Sequence, residues 1–470
     1  MSSKFDFGMI GLGTMGRNLL LNMADHQFSV IGFDKDATKA ASLEQESNNN
    51  QNVKGVVTLN EMVQQLKTPR RIMMLVPAGK PVDDVIESLL PLINEGDVVI
   101  DGGNSFFEDT LRRIKYLEEK KIHFVGMGVS GGEKGARFGP SIMPGGDVEA
   151  WKHLQPILEA IAAKVNNEPC VAYMGKNAAG HYVKMVHNGI EYAIMQLISE
   201  VYSLLKNGIQ LTNKELHEVF KTWDENELQS FLIEITANIF KQKDELTEND
   251  LIDMILDEAG SKGTGKWTSQ EAMNLGIGIP TIDIAVSLRN ISAYKSERIT
   301  ASKIYNTSTN ISSNNKQDFI NQCKDALFVA TVLCYAQGLA MLHKASAEYN
   351  LEIPLNNVVK IWRGGCIIRS TLLEKFYTAY QNNNNLTNIL LDKNIAALIQ
   401  PKINNLQKII IAAAENGIAV SGLMSALGYL NAYTTANMPT NLIQAQRDYF
   451  GAHTYQRIDK EGIFHTKWND

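Results

Sequence analysis

Four polar residues share one face of a predicted helix between Lys184 and Tyr192. Lys184, His187, Asn188 and Glu191 are spaced i, i+3, i+4 and i+7, which aligns an amine, an imidazole, an amide and a carboxylate. The remaining positions are apolar, so the polar stripe needs partners, because unpaired buried charge is costly. Lys184 and Glu191 would lie roughly 10 Å apart along the helix axis, a span suited to a small polyol. The alternative interpretation is a structural network that links two helices.

A glycine-rich loop follows the first predicted strand and opens a helix. The loop comprises Gly11, Leu12, Gly13, Thr14, Met15 and Gly16. In this context the first glycine permits the tight turn, the second lets backbone approach a pyrophosphate, and the third lets the helix pack closely on the strand. The helix N-terminus would then face the phosphates. The pattern therefore predicts a dinucleotide site.

An acid ends the second predicted strand and bears on cofactor choice. Asp34 stands where a carboxylate accepts hydrogen bonds from the ribose hydroxyls of NAD and repels the 2′-phosphate of NADP. Lys35 could soften that repulsion, although an exposed lysine is the commoner case, and Asp36 adds negative charge. The local charge favours NAD and leaves NADP possible.

Three further loops could bind anions or hydroxyls. Asp101–Ser105 and Val129–Gly132 each follow a predicted strand at the edge of the sheet where ligands bind, although Gly-Gly pairs are more often plain turns. The segment Ser261–Trp267 lacks the P-loop pattern, yet its lysines, threonine and glycines can still bind a phosphate. Arg289, Arg447 and His453 are additional candidates that sequence spacing cannot bring together.

The order of predicted elements changes along the chain. Strands are predicted at 5–10, 29–33, 71–76, 98–100 and 124–126, with helices between them, the first at 17–24. This alternation predicts a mostly parallel sheet wound on both faces. After about residue 180 the patterns are helical, at 181–206, 214–221, 227–241, 281–304, 317–349 and 396–416. The polar runs 306–315 and 381–385 are predicted to be loops.

Composition limits the class of protein. The chain has 470 residues, 44% of them hydrophobic and 20% charged, which indicates two or more globular domains. The net charge of −6 argues against nucleic acid as a partner. We expect no apolar run of membrane-spanning length and therefore no membrane association, and we expect no metal site. The four scattered cysteines and the absence of a leader pattern at the start predict a cytoplasmic enzyme. Aromatic residues after Pro439 predict a packed tail, and another subunit is a candidate for the surface on which it packs.

Seven segments together resemble the 6-phosphogluconate dehydrogenase family from end to end. They read DGGNS, GVSGGEKGA, MPGG, GHYVKMVHNGIEY, KGTGKWT, GGCIIRS and NLIQAQRDYFGAHTY. The resemblance implies an α/β Rossmann-like N-terminal domain (1–178), a large all-α domain for substrate binding and dimerisation (179–436), and a C-terminal tail (437–470) that reaches the partner of a homodimer. It also implies oxidative decarboxylation of 6-phosphogluconate to ribulose 5-phosphate in the pentose phosphate pathway.

The resemblance also implies roles for individual residues. Lys184 would be the general base and Glu191 the general acid. The implied substrate contacts are Asn104, Ser130, Gly131, Gly132, His187, Asn188, Tyr192, Lys262, Thr264 and Arg289, with Arg447 and His453 from the neighbouring subunit. The implied cofactor contacts are Gly11, Leu12, Gly13, Thr14, Met15, Gly16, Asp34, Lys35, Val76, Ala78 and Asn104.

The cofactor half departs from the family pattern. Where members commonly carry Asn-Arg-Ser or Asn-Arg-Thr, this chain reads Asp34-Lys35-Asp36; Gly13 replaces a frequent alanine, and Pro77 a frequent lysine. We therefore expect an NAD-preferring or dual-specificity enzyme. Two alternatives stay open: a β-hydroxyacid dehydrogenase that acts on an unphosphorylated acid, and a non-catalytic dinucleotide-binding homologue.

Overall fold

A seven-stranded sheet forms the first part of the computed structural model, which describes residues 4–47, 52–305, 309–311 and 315–468. Its strands are β1 Phe7–Ile10, β2 Val30–Phe33, β3 Val53–Val56, β4 Arg71–Met74, β5 Val98–Asp101, β6 His123–Ser130 and β7 Ser141–Gly146. Their order is β3-β2-β1-β4-β5-β6-β7. Strands β1 to β6 run parallel, while β7 is antiparallel to β6. A short hairpin, β8 Lys164–Val165 and β9 Glu168–Pro169, follows.

Helices cover both faces of this sheet. They are α1 Thr14–Asp25, α2 Ala37–Gln45, α3 Leu59–Gln65, α4 Lys80–Leu89, α5 Phe107–Glu118, α6 Gly132–Phe138 and α7 Val148–Ile161. Successive strand side chains point to opposite faces. Accordingly Met73 packs into one core with Leu19 of α1 and neighbouring Met74 packs into a second core with Ile86 of α4. The predicted sheet wound on both faces is confirmed.

Sequence patterns missed two strands of the seven-stranded sheet and the short hairpin of β8 and β9, and they shortened one further strand. β3 contains Lys54 and Gly55, and β7 contains Pro144 and two glycines, so neither shows an apolar run. The strand predicted to end at Gly126 continues to Ser130, because its last residues pair with β7. The strand predicted from Phe5 begins at Phe7, and Phe5 forms only an isolated bridge with Leu66.

The second part is helical, as predicted. It contains α8 Ala179–Ser203, α9 Asn213–Asp224, α10 Phe231–Ile239, α11 Leu251–Met254, α12 Thr264–Asn274, α13 Pro280–Ser292, α14 Lys295–Tyr305, α15 Lys316–Glu348, α16 Leu355–Trp362, α17 Leu372–Asn382, α18 Lys393–Ile399, α19 Ile403–Glu415, α20 Ser421–Tyr433 and α21 Thr440–Gly451. A π-helical turn, Leu204–Gly208, extends α8, and 3₁₀ turns lie at Ile389–Leu391 and Gln400–Lys402. Helices α8 and α19 both pack against α15.

Two predicted helices are each divided in the structure. The stretch 281–304 breaks between Ser292 and Lys295, and the stretch 396–416 breaks at a 3₁₀ turn that contains Pro401. Proline lacks an N–H and clashes with the preceding turn, which explains the second break. The predicted loop at 381–385 begins only at Asn383. Most of the predicted loop 306–315 lies outside the described residues.

Helix α15 corrects the expectation that no apolar run reaches membrane-spanning length. An 18-residue window in this helix has a mean hydropathy of 1.6, which satisfies the length and composition of a span. However, 94% of that window is buried inside the protein. The helix therefore forms the core of the second part of the chain.

The tail after Pro439 folds around one carboxylate. Asp448 is fully buried and accepts hydrogen bonds from the backbone of Thr454 and Thr466 and from the indole of Trp468. Several apolar side chains of the tail stay exposed in the single chain: Leu442, Ile443, Tyr449, Phe450, Ile458 and Ile463. The tail thus has internal order and a large uncovered apolar surface.

Candidate active site

Helix α8 packs against the sheet almost backbone to backbone. A Cβ atom at Gly180 would lie 2.1 Å from the carbonyl oxygen of Gly126, and one at Gly128 would lie 2.4 Å from the Cβ of Lys184. Only glycine permits this approach. The close contact places Lys184 directly against β6 at Gly128, two residues before that strand ends at Ser130.

The predicted polar stripe is buried at this contact. Lys184 is 7% exposed, His187 0% and Asn188 8%, while the side chain of Glu191 is 21% exposed. His187 Nε2 lies 3.3 Å from Ser130 Oγ, and its Nδ1 lies 3.1 Å from Asn188 Oδ1. In the neutral ring, Nδ1 donates to the amide oxygen and Nε2 accepts from the serine hydroxyl. The structure thus brings Ser130, His187 and Asn188 together next to Lys184.

Burial pushes the pKa values of the two charged groups towards each other. Desolvation lowers the pKa of Lys184, and the Glu191 carboxylate and Cys366 oppose that change. Desolvation raises the pKa of Glu191, and Lys184 and Arg289 oppose it. Burial thus favours the neutral amine of Lys184 and the protonated carboxyl of Glu191, which are the forms that a general base and a general acid need.

His187 is neutral in this environment. Burial lowers its pKa well below the ordinary value, and the charge on Lys184 adds to the effect. The 3.8 Å separation between His187 Nδ1 and Glu191 Oε2 is therefore not an ion pair. Its neutral ring is suited to hydrogen bonding with hydroxyl groups.

Arg289 and the segment that begins α12 meet at Tyr192, next to Glu191. The guanidinium carbon of Arg289 lies 3.4 Å from the centre of the Tyr192 ring, and Arg289 donates to the carbonyl of Gly260 at 3.0 Å. The backbone N–H of Lys262 points to Tyr192 Oη at 3.4 Å. Thr264 is buried at the first position of α12. Three of the residues predicted to bind a phosphate, Tyr192, Lys262 and Arg289, thus meet in space, although sequence spacing could not show it.

The glycine-rich loop lines a cleft of about 490 Å³. Its walls include Gly13, Thr14, Met15, Gly16, Val76, Ala78, Gly103, Asn104, Val129, Lys262 and Trp267. Gly11 has φ +93°, and a Cβ at Gly16 would lie 2.0 Å from the Gly11 carbonyl oxygen, whereas a Cβ at Gly13 would meet open space. Helix α1 has no side-chain cap, so its first N–H groups remain available for an anion. These features fit a dinucleotide pyrophosphate.

Asp34 also braces the glycine-rich loop. Its Oδ2 accepts the backbone N–H of Leu12 at 2.9 Å, and its Oδ1 accepts that of Asp36 at 3.0 Å. The Leu12 side chain is buried in the core, so only its backbone belongs to the loop surface. Lys35 is exposed, and Asp36 caps α2 through Thr38. The Asp34 carboxylate therefore has structural partners within the chain.

Two predicted residues lie apart from this site in the single chain. Arg447 and His453 are exposed in the tail, where Arg447 donates to Gln444 and His453 packs edge-on against Phe450. Their assignment to a neighbouring subunit's site stays a prediction.

Sequence reasoning missed several neighbours of the site. Trp362 packs edge-on against His187 with ring centres 5.6 Å apart, and Cys366 influences the pKa of Lys184. Both belong to the segment around α16, distant in sequence, so no spacing rule could find them. Trp267 lines the dinucleotide cleft, and its place in the KGTGKWT segment was the only indication.

Comparison with known proteins decides the family. The model for the NAD binding domain of 6-phosphogluconate dehydrogenase matches residues 6–175, and the model for the 6-phosphogluconate dehydrogenase C-terminal domain matches residues 180–468. The chain belongs to the 6-phosphogluconate dehydrogenase family. Membership fits the glycine-rich loop and the polar stripe, and it confirms the resemblance seen in the sequence motifs.

Relatives of this 6-phosphogluconate dehydrogenase family member match over the full length. A Bacillus subtilis protein named 6-phosphogluconate dehydrogenase, NADP(+)-dependent, decarboxylating is 50% identical and covers 99% of both chains. An Escherichia coli 6-phosphogluconate dehydrogenase, decarboxylating, is 47% identical over 100% of both. The solved Plasmodium falciparum 6-phosphogluconate dehydrogenase is 44% identical, with a TM-score of 0.96 over 98% of this chain and 100% of that one.

Proposed function

We propose that this protein oxidises and decarboxylates 6-phosphogluconate to ribulose 5-phosphate and CO₂ with reduction of a nicotinamide dinucleotide. The observation that carries the proposal is the buried pair Lys184 and Glu191, whose pKa values burial moves in opposite directions beside the dinucleotide cleft. The Plasmodium falciparum relative was solved with NADP+ and with 6-phosphogluconate, which supports the same ligands here.

Lys184 is assigned the role of general base. In its neutral form, which burial favours, the amine accepts the proton of the C3 hydroxyl. A nicotinamide dinucleotide held in the cleft beside the glycine-rich loop would supply the acceptor for the hydride of C3. The resulting 3-keto acid can lose CO₂ because the electrons flow to the C3 carbonyl oxygen. The protonated amine then donates a hydrogen bond to that oxygen and stabilises the developing enolate.

Glu191 is assigned the role of general acid. Its carboxyl group, whose pKa burial raises, protonates the carbon from which CO₂ has left. This carbon is C2 of the substrate and becomes C1 of ribulose 5-phosphate. Lys184 and Glu191 lie two helical turns apart, which lets each reach a different carbon of one substrate.

The remaining assigned residues hold the substrate. Ser130, His187 and Asn188 form the polar wall for the carboxylate and hydroxyl groups, with Asn104, Gly131 and Gly132 in the adjoining loops. Tyr192, Lys262, Thr264 and Arg289 would bind the phosphate, which fixes the sugar along the helix so that C3 meets the cofactor.

We infer that NAD is the preferred cofactor and that NADP is accepted. Asp34 lies against the first turn of the glycine-rich loop, where its charge opposes a 2′-phosphate. The Bacillus subtilis relative is NADP-dependent by name, so this preference would set the present chain apart from it.

We also propose a homodimer in which the tail reaches the partner. The exposed apolar side chains of the tail, including Leu442, Ile443 and Phe450, support it. The division at 1–178, 179–436 and 437–470 is part of this proposal. Sedimentation velocity should give twice the monomer mass, and a monomer at micromolar concentration would refute the dimer.

We also infer a cytoplasmic location. It is supported by four buried cysteines that form no disulfide.

Initial rates of cofactor reduction test the activity. They are measured with 6-phosphogluconate and with unphosphorylated gluconate, each with NAD and NADP. The proposal predicts turnover with the phosphorylated acid and higher catalytic efficiency with NAD. A preference for an unphosphorylated β-hydroxyacid would favour the alternative dehydrogenase, and no turnover from folded protein would favour a non-catalytic homologue. Higher efficiency with NADP would refute only the role of Asp34.

A further inference from the structure

A buried hydrogen-bond chain joins the sheet to helix α8 one turn before Lys184. His181 is 1% exposed; its Nε2 lies 3.0 Å from the carbonyl oxygen of Asp101 and its Nδ1 2.7 Å from Thr110 Oγ1. A carbonyl oxygen only accepts, so Nε2 carries the proton, and Nδ1 of the neutral ring accepts from the threonine hydroxyl. Burial also lowers the pKa of His181, which keeps the ring neutral. The Asp101 carbonyl therefore fixes the tautomer, and the Thr110 hydroxyl, which also lies 3.2 Å from the Phe106 carbonyl oxygen, complements it.

The other end of this chain holds the cofactor loops. The Asp101 carboxylate accepts from the backbone of Gly103 at 3.0 Å and from Ser105 Oγ at 2.6 Å, which shapes the loop that carries Asn104. Arg113, 1% exposed, lies 3.4 Å from Asp101 Oδ2 and donates to the Gly79 carbonyl at 3.0 Å. Asp101 is thus tied to both loops that wall the dinucleotide cleft.

Glycines on β6 face α8, so the hydrogen bonds of His181 have a larger part in placing this helix. A Cβ at Gly126 would lie 2.8 Å from His181 Nδ1, so the imidazole lies where β6 has no side chain. Side chains that interlock normally fix how a helix is placed on a sheet, and here Gly126 and Gly128 offer none. The directional bonds of His181 then fix the helix along the sheet. Lys184 follows at i+3, on the same face of α8.

We propose that His181 is a positioning residue that sets the place of Lys184 relative to the dinucleotide cleft, through its bonds to Asp101 and Thr110. This inference rests on the proposed role of Lys184 as the base. His181 itself contacts neither substrate nor cofactor in this assignment. It acts because hydride transfer depends steeply on alignment, and a displacement of about 1 Å can cost roughly 100-fold in rate.

Two substitutions at His181 separate position from stability. His181→Leu keeps the volume and removes both bonds, whereas His181→Gln retains an N–H that can reach the Asp101 carbonyl. We expect kcat to fall about 100-fold in His181→Leu with KM for 6-phosphogluconate changed less than about threefold. We expect His181→Gln to recover at least tenfold of that loss. With substrate deuterated at C3, the isotope effect on kcat should rise in His181→Leu, because hydride transfer becomes rate-limiting.

A second pair of variants keeps the proposal testable if the His181 variants fail to fold. Thr110→Val removes the hydroxyl that bonds His181 Nδ1 while keeping the shape, and we expect kcat to fall about tenfold with a raised isotope effect. Thr236→Val is the matched control, since the Thr236 hydroxyl donates to the Leu232 carbonyl within α10, as the Thr110 hydroxyl can donate to the Phe106 carbonyl within α5. Its rate per folded molecule should equal wild type.

The outcomes distinguish this inference from the proposed function. Wild-type protein without turnover of 6-phosphogluconate would refute the function, and the positioning role with it. An active wild type whose Thr110→Val and His181 variants keep kcat and isotope effect per folded molecule, losing only thermal stability, would overturn the positioning role alone. Active-site titration by cofactor binding supplies the count of folded molecules.

Discussion

Gly128 on β6 touches Lys184 on α8, since a Cβ atom at Gly128 would lie 2.4 Å from the Cβ of Lys184. The proposed base therefore rests on bare backbone. Its position depends on what residue 128 lacks, which makes a conservative change at a glycine a test of catalysis.

Gly128→Ala should reduce kcat by about tenfold or more. The added methyl group must displace Lys184 or the strand, and overpacking of this kind costs about 1–3 kcal/mol. The rate is measured at saturating substrate alongside thermal unfolding. Gly428→Ala is the control, because a Cβ there meets open space in α20. A Gly128→Ala enzyme with wild-type kcat would show that Lys184 need not hold this place.

Lys184→Met should abolish turnover, by about 1000-fold or more, while cofactor binding persists. The substitution keeps most of the side-chain volume and removes the amine that accepts the proton. Cofactor affinity can be followed by fluorescence quenching, since Trp267 lines the cleft. Substantial residual activity would remove Lys184 as the base.

Glu191→Gln should move the acidic limb of the pH profile for hydride transfer to lower pH. Lys184 works when neutral, so the rate rises as pH passes its pKa. Burial lowers that pKa from 10.5, and the Glu191 carboxylate holds it up. Removal of the carboxylate therefore lowers it further. The burst of cofactor reduction is measured against pH, because Glu191 acts after this step. Glu234→Gln, which breaks a surface ion pair with Arg369, should leave the limb unmoved.

Asp34→Asn should lower the ratio of NAD to NADP catalytic efficiency by about tenfold or more. The substitution removes the charge that opposes a 2′-phosphate, and the amide oxygen can still accept from the Leu12 N–H. Asp36→Asn is the control, since asparagine also caps helices and Asp36 serves α2. An unchanged ratio in Asp34→Asn would assign cofactor choice elsewhere.

Arg289→Met should raise KM for 6-phosphogluconate by about 100-fold with a smaller effect on kcat. The guanidinium lies over the Tyr192 ring and would pair with the phosphate, a charge-assisted contact worth about 1.5–3 kcal/mol. Any turnover of unphosphorylated gluconate should be insensitive to the change. Arg369→Met serves as the control. Equal losses with both substrates would place the phosphate elsewhere.

The sequence alone determined the elements with strong local patterns. The glycine-rich loop between a strand and a helix predicted the dinucleotide cleft, and the i, i+3, i+4, i+7 spacing placed Lys184, His187, Asn188 and Glu191 on one helical face. The helical character after residue 180 was equally plain. Local backbone preference and periodicity suffice for such features. Strands β3 and β7 were not predicted, because glycine, proline and lysine interrupt the apolar run that indicates a buried strand.

Only the tertiary structure decided what surrounds these elements. Arg289 approaches Tyr192 across 97 positions of sequence, and Trp362 meets His187 across 175, distances over which no periodicity operates. The pKa shifts of Lys184 and Glu191 arise from burial, which is a property of the packed core and not of the helix. The hydrogen bond between His181 and the Asp101 carbonyl forms because Gly126 and Gly128 have no side chain and let α8 approach the sheet closely. Chemistry at this site is thus encoded locally but tuned by contacts that only folding creates.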